Sequence, residues 1–295
     1  MELHVKDNLN MDLKELKALW REEDFRPNKK LGQNFLIDKN VRDNILKALC
    51  VDSSKRVLEI GAGFGVMSFE LAAMCGKLFA VEKDRRICGI MAERFREKDI
   101  TLIEASILDV DICALAKDSG ALTVFGNIPY YISTPVIEKM IRQRKCIDAV
   151  YLVIQEELAE RIASSSGSRV YGSISCFVQF YMEVKKLFRI KKNSFYPRPR
   201  VDSHLVELKV LSEPSVKVTD EALMFRIVRK AFSQRRKKAV NPLSQGDFAS
   251  MTRDDWIRLF ESCGIDPASR AESLSLEDYA RVSDAAGERF AGRKA

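Results

Sequence analysis

From about residue 40 to residue 210 the chain alternates short runs of β-branched and apolar residues with longer stretches whose apolar positions recur at helical spacing. The short runs predict strands at Arg56–Ile60, Leu78–Glu82, Thr101–Glu104, Leu122–Gly126, Ala149–Gln155, Lys186–Ile190 and His204–Val210. Helical spacing between the first five gives the βαβ alternation of an α/β fold with a mostly parallel sheet. Too few residues separate the last two runs for a crossover helix, so an antiparallel hairpin is expected at one edge.

Outside this region the pattern is helical. Met11–Glu23 reads as a short amphipathic helix, and Val66–Cys75 as the helix after the first strand. Thr134 followed by Pro135 reads as the cap and first position of another helix. After Glu213-Pro214 no strand pattern returns. Met224, Ile227, Val228, Ala231 and Phe232 share one helical face, with Asn241-Pro242 expected to end that helix. Thr252 with Asp255, and Ser275 with Asp278, have capping-box spacing and predict two further helix starts. Two domains are therefore expected, 1–213 carrying the sheet behind an N-terminal helical segment, and 214–295 built of helices alone. No internal repeat or low-complexity tract interrupts them.

Composition narrows the chemistry. The 295 residues are 46% hydrophobic, enough for a sizeable core, and no apolar run approaches the roughly 18 residues that span a bilayer. MELHVKDNLN has neither the apolar run of a secretory signal nor the Arg/Ser-rich character of a transit peptide, so the expected address is the cytoplasm. Seven cysteines are widely spaced with no CxxC pair and read as reduced core residues. Two histidines, His4 and His204, leave little for a zinc site or a histidine-dependent nucleophile.

The net charge of +7 is unevenly distributed. Val184–Val201 holds seven cations and no acid (Lys185, Lys186, Arg189, Lys191, Lys192, Arg198, Arg200). Ala222–Val240 holds seven more (Arg226, Arg229, Lys230, Arg235, Arg236, Lys237, Lys238), again without an acid. Together they carry +14 against a total of +7, so the remainder is −7. Solvated helix or strand faces can carry such runs, but two of them point to a polyanionic partner.

Two constellations carry chemistry. Arg56-Val-Leu-Glu-Ile-Gly61-Ala-Gly63-Phe-Gly65 is a strand entering a glycine-rich turn, where backbone approaches a nucleoside closely. Glu82 ends the next strand and is placed to take the two hydroxyls of a ribose. The G-x-G-x-G spacing is not the full dinucleotide fingerprint, which favours another adenosine-bearing cofactor over NAD; a plain tight turn with a surface Glu would read the same. After the fourth strand stands Asn127-Ile128-Pro129-Tyr130-Tyr131. An exocyclic amine on a base has its lone pair delocalised into the ring, and alkylating it requires acceptors for both N–H hydrogens. Asn127 Oδ1 and the Ile128 carbonyl are two such acceptors, Pro129 stiffens the turn, and Tyr130 offers a stacking face.

With Lys30-Leu-Gly-Gln-Asn-Phe-Leu36, Phe195-Tyr-Pro-Arg-Pro-Arg-Val-Asp-Ser203, Ala231-Phe-Ser-Gln-Arg-Arg-Lys237 and Arg270-Ala-Glu-Ser-Leu-Ser-Leu276, these motifs resemble the small-subunit (16S) ribosomal RNA adenine dimethyltransferase family (RsmA/KsgA type) from about Phe25 onward. The resemblance implies a class I, Rossmann-like methyltransferase sheet of seven strands, with S-adenosyl-L-methionine as cofactor and no metal. It implies methylation of N6 on two adjacent adenosines in the 3′-terminal hairpin of 16S rRNA within a small ribosomal subunit or its precursor, by a monomer away from membranes. Asn34 and Leu36 match the residues that close over the cofactor, Gly61 and Gly63 the loop beneath it, and Glu82 the ribose acid. Asn127, Pro129 and Tyr130 match the motif that holds the target adenine, with Phe195 on its other face. Lys191, Lys192, Arg198, Arg200, Arg235, Arg236 and Lys237 fall where the family meets RNA. Ser106 stands where the family usually has an Asp that binds the cofactor adenine, which loses a charge-assisted bond; Asp109 is a weak substitute. The macrolide-resistance type of 23S rRNA methylase, an RNA-binding assembly factor with weak methylation, and an NAD-dependent dehydrogenase remain as alternatives.

Overall fold

A computed structural model of the chain describes residues 11–28, 31–117, 120–248 and 250–292; His4 and Lys30 lie outside the described residues. The strands are β1 (Phe35–Leu36), β2 (Arg56–Ile60), β3 (Lys77–Glu82), β4 (Ile100–Glu104), β5 (Leu122–Asn127), β6 (Ile147–Gln155), β7 (Met182–Ile190), β8 (Phe195–Tyr196) and β9 (Ser203–Val210). Seven form one sheet in the order β4-β3-β2-β5-β6-β9-β7. β4 through β6 run parallel, and β9 is antiparallel to β6, with Ala149 opposite Lys209 and Gln155 opposite Ser203. The α/β class, the seven strands and the antiparallel edge are those expected. Strand order reverses between β2 and β5, which places a ligand crevice at their carboxyl ends.

The remaining pair, β1 with β8, forms a separate two-stranded ribbon that the periodicity does not reveal, since two residues are too few to alternate. Phe35 lies opposite Tyr196 and Leu36 opposite Phe195. Ahead of it, α1 (Leu13–Glu22) starts at a capping box in which Asp12 accepts from the Glu15 N–H at 2.8 Å. α1 buries Leu16, Leu19 and Trp20. Trp20 joins Phe25, Phe35 and Phe64 with centroids 5.4 to 6.1 Å from its own, and Phe25 meets Phe64 edge-on at 4.9 Å. One aromatic cluster thus ties α1, β1 and the glycine-rich turn together, each favourable ring pair contributing about 1 kcal/mol beyond burial.

Three local expectations are corrected. The helix expected to open at Thr134 is Ser133–Arg142, so Pro135 is its third residue; the 3₁₀ turn Tyr130–Ile132 runs directly into it and no side chain caps it. The helix expected to reach Asn241 is Glu221–Phe232, and Asn241-Pro242 sits inside a separate turn of helix, Val240–Leu243. The cysteines are not all reduced core residues. Cys113 and Cys146 are disulfide-bonded with Cα atoms 5.2 Å apart, and Cys50 is exposed. A sequence separation of 33 hid the pair; folding brings the helix Ile112–Ala116 beside the turn Arg144–Cys146.

The chain divides into two compact units, 1–159 with 185–210, and 160–184 with 211–295. The segment 160–184, expected with the sheet, groups with the C-terminal helices. In that second unit Tyr181 Oη donates to Glu221, and Phe177, Phe180, Tyr181 and Phe225 pack ring on ring at 4.7 to 5.9 Å. Both predicted capping boxes there are made, Thr252 with Asp255 and Ser275 with Asp278.

Candidate active site

A cleft opens at the carboxyl ends of β2, β3 and β5, entirely within the first unit. Its walls include Asn34, Leu36, Gly61, Gly63, Glu82, Ser106, Asn127, Pro129, Tyr130 and Phe195, so every expected cofactor and catalytic position meets in one space. The turn after β2 is tight for steric reasons. Gly63 (φ +55°) would bring a Cβ to 3.1 Å from Phe35, and Gly65 (φ +76°) would bring one to 2.7 Å from Phe69 and 2.8 Å from Phe95. Only glycine fits there.

Glu82 is buried at the end of β3 and its carboxylate is held by three backbone N–H groups. Oε2 accepts from Gly63 at 3.0 Å; Oε1 accepts from Lys83 at 2.8 Å and Asp84 at 2.7 Å. Burial pushes its pKa up, and those N–H bonds restrain the rise. Glu82 also lines the cleft, where its remaining acceptor capacity is available.

Glu59, on β2, is a residue the sequence reading missed because an acid within a strand looks like an outward-facing charge. It is 2% exposed, lines the cleft, and its Oε2 has no hydrogen-bond partner. Burial lifts its pKa to about 8; the neighbouring Ser68 hydroxyl lowers it and the Glu82 charge adds to the rise. A carboxyl with a pKa that high is largely protonated at neutral pH, and a cation placed beside it would favour its ionised form.

Gln33 was also missed, although it stands in a quoted motif. Its Nε2 donates to Asp84 Oδ2 at 2.9 Å and its Oε1 accepts from the Asn28 N–H at 2.7 Å, pinning the segment before β1 to the start of the helix Arg85–Glu97. Burial raises the Asp84 carboxyl, but bonds from Arg86 and Gln33 more than offset it and hold the pKa low. Ser106 lines the cleft and its Oγ accepts from the Leu108 N–H at 3.3 Å, leaving a lone pair and its own proton. Asp109 is exposed on the next turn and outside the cleft walls, so it does not stand in for the missing Asp.

At the end of β5 the Asn127 Nδ2 donates to the Asn34 carbonyl at 3.0 Å. That bond fixes which way the amide points and leaves Oδ1 free to accept. Asn34 Nδ2 donates in turn to the Gly32 carbonyl at 3.0 Å, and a Cβ on Gly32 would lie 3.1 Å from Pro129. The N-terminal segment therefore lies directly on the Asn-Ile-Pro-Tyr turn. Tyr130 Oη and Ser203 Oγ are 3.0 Å apart, which holds the half-buried Tyr130 ring in place. Phe195 is 3% exposed, packed in the core beside Leu36 while lining the cleft.

The expected RNA-contacting cations divide. Lys191, Arg198 and Arg200 are exposed and Lys192 partly so, while Arg189 pairs with Glu156 at 3.1 Å and Asp202 at 3.0 Å. In the second unit Arg236 and Lys237 are exposed, but Arg235 is not a free cation. Its guanidinium donates to the Arg169 and Tyr171 carbonyls at 2.7 and 2.8 Å and pairs with Glu272 at 3.4 Å. Among the described residues no cluster of His, Cys, Asp and Glu is placed to hold a metal ion, and no helix is long and apolar enough to cross a membrane.

Residues 24–287 match the family described as ribosomal RNA adenine dimethylase. The chain is 35% identical over 269 residues to the ribosomal RNA small subunit methyltransferase A of Clostridium botulinum (strain ATCC 19397 / Type A), covering 91% of this chain and 97% of that protein. It is 36% identical over 279 residues to the protein of the same name from Pelotomaculum thermopropionicum, covering 91% and 94%. In fold it is similar to a dimethyladenosine transferase from Plasmodium falciparum (TM-score 0.73, 22% identity, 84% of this chain and 95% of that one). It is also similar in fold to the 23S rRNA methyltransferase ErmE (TM-score 0.66, 18% identity, 85% and 98%).

Proposed function

The chain belongs to the ribosomal RNA adenine dimethylase family, and from that premise we propose that it transfers methyl groups from S-adenosyl-L-methionine to N6 of two adjacent adenosines in the 3′-terminal hairpin of 16S rRNA, in the cytoplasm, as part of small-subunit biogenesis. The observation that carries the chemistry is the Asn127 amide, turned by its 3.0 Å bond to the Asn34 carbonyl so that Oδ1 is left as an acceptor next to the Ile128 carbonyl. Full-length similarity to small-subunit methyltransferases supports the substrate over a 23S target.

The cleft fits the cofactor on two observations. Glu59 Oε2 is buried without a partner, a place for the methionine ammonium, and Glu82 is pre-aligned by three N–H bonds for the ribose hydroxyls. Gly61 and Gly63 let backbone lie against the ligand, Ser106 can accept from its adenine amine, and Asn34 and Leu36 cover it. When bound, the cofactor supplies an electrophilic methyl on a sulfonium. The protein's part is positioning. Asn127 Oδ1 and the Ile128 carbonyl accept hydrogen bonds from the two N6 hydrogens and aim the lone pair, and the proton displaced when N6 is methylated leaves to solvent; Tyr130 and Phe195 hold the base between ring faces; Pro129 fixes the turn. Near-attack placement of this kind supplies several kcal/mol of barrier reduction without an acid, base or metal.

The test is incubation of the protein with labelled S-adenosyl-L-methionine and unmethylated small subunits, followed by nucleoside mass spectrometry. N6,N6-dimethyladenosine in the 3′-terminal hairpin is expected; its absence overturns the proposal. Asn127→Ala removes one acceptor and the tie to Asn34, and turnover should fall at least about 10²-fold, the usual cost of a lost charge-stabilising partner, with RNA affinity nearly intact.

A further inference from the structure

A second concavity adjoins the β1–β8 ribbon at Tyr196 and Ile37. It is lined by Lys14, Lys17 and Arg21 from α1, by Arg26 after it, and by the rings of Trp20 and Tyr196. All four cations are exposed, and none is ion-paired in the described structure. Asp12 and Asp24 also border the groove, but Asp12 is engaged in capping α1. Lys17 Nζ sits 4.5 Å from the Tyr196 ring centroid, and Tyr196 in turn packs at 5.6 Å against Trp20. The ring face holds the ammonium in one place, so less conformational freedom is lost when an anion arrives.

The groove and the active-site cleft share one structural element. On β8 Phe195 lines the cleft and the adjacent Tyr196 lines the groove; on β1 Leu36 opposite Phe195 lines the cleft. Phe195 and Tyr196 are consecutive, so the cleft and the groove adjoin on one strand. This stretch was not among the basic runs that the charge count singled out, because α1 also carries Glu15 and Glu22 and its local sum is unremarkable. Helical spacing puts Lys14, Lys17 and Arg21 on one face of α1, and the fold brings Arg26 beside them.

We propose that this groove binds the phosphodiester backbone of the RNA strand flanking the target adenosine, with Lys14, Lys17, Arg21 and Arg26 on the phosphates. The inference rests on the RNA-methylating function above. Affinity for single-stranded RNA depends on salt with a slope of about −0.7 per phosphate neutralised. Four contacts therefore predict a slope shallower by about 3 in the variant K14Q/K17Q/R21Q/R26Q.

The experiment compares the full chain, this variant and a control, K47Q/R85Q/R96Q/R142Q, which removes the same charge from exposed sites elsewhere. Fluorescence anisotropy with a labelled RNA hairpin bearing a loop of adjacent adenosines and a single-stranded 3′ tail is read from 0.05 to 0.3 M salt. Circular dichroism and S-adenosyl-L-methionine titration monitor folding and the cleft. The groove variant should bind the RNA on the order of ten- to a hundredfold more weakly at 0.1 M salt with the shallower slope, while cofactor affinity stays within twofold and the control resembles the parent. An unchanged slope in the groove variant overturns the proposal, as does an equal flattening in the control, which would make the effect one of net charge. Unchanged RNA binding with lost binding to intact subunits would assign the groove to a ribosomal protein and equally overturn it. If the parent methylates no RNA, the functional reading fails; if the parent methylates and the groove variant is indistinguishable from it, the groove alone fails.

Discussion

Glu59→Gln tests the buried carboxyl directly, because the substitution keeps shape and removes the titration. Glu59 is fully enclosed, with a pKa of about 8 against an ordinary 4.5. A native-state pKa above the unfolded value means that the folded protein binds the extra proton, so stability is greatest below about pH 4.5 and declines as pH rises toward 8. At about 1.4 kcal/mol per pH step through this window, the parent should lose roughly 3 kcal/mol between pH 6 and pH 9 from this group. The Gln variant should lack that component.

Urea unfolding at pH 6, 7, 8 and 9 measures it, with the difference between the two proteins cancelling the Glu82 and cysteine contributions common to both. In the absence of cofactor the variant should gain on the parent steadily across the series. The cofactor should reverse the ordering: its ammonium compensates ionised Glu59, so parent affinity rises as pH approaches 8 while the variant binds weakly at every pH. Parallel stability curves with the same pH dependence would refute the account of Glu59 as a proton-holding group. Parallel cofactor titrations would refute its assignment to the ammonium.

Other substitutions separate packing from chemistry. Trp20→Ala should cost about 3 to 5 kcal/mol in urea unfolding, the usual range for a buried tryptophan, and should weaken cofactor binding because its ring packs on Phe35 and Phe64 at the glycine-rich turn. Thiol titration in denaturant should find five reactive cysteines before reduction and seven after. Opening the Cys113–Cys146 bridge, which closes a separation of 33 residues, should lower stability by up to about 4 kcal/mol; seven thiols at the outset would show the pair to be reduced. Arg235→Ala should lower stability by about 1 kcal/mol, discounted for its partial exposure, whereas Arg236→Gln with Lys237→Gln should leave unfolding unchanged and flatten the salt dependence of RNA binding.

The central sheet was legible because its middle strands β2, β3, β5 and β6 are short, largely buried apolar runs, with β2 stopping at Gly61 and β5 at Asn127. Those same ends carry the site, so Gly61, Glu82 and Asn127 were found by reading where strands stop. What escaped the sequence depends on tertiary neighbours. β1 and β8 are two residues each and exist only because they pair across about 160 positions. Arg235 looks like any cation in a basic run until the Arg169 and Tyr171 carbonyls are seen to face it. Glu59 has the pattern of an exposed strand residue until the fold places Ser68, from the helix after the glycine-rich turn, beside it and buries it.

These misses have a common physical basis. A charge in the sequence has a sign but no dielectric, and its role is decided by what surrounds it. Glu82 and Glu59 lie near one another in the same cleft, yet the first is satisfied by three N–H bonds and the second has an oxygen with none. The first therefore has its carboxylate fixed in one orientation by the backbone, while burial holds the second largely protonated. Likewise Arg235 spends its donors within the protein while Arg236 and Lys237 keep theirs for solvent or a polyanion. Counting residues pointed to a polyanionic partner; counting satisfied and unsatisfied hydrogen-bonding groups separates the residues that spend their donors within the fold from those left free to meet a ligand.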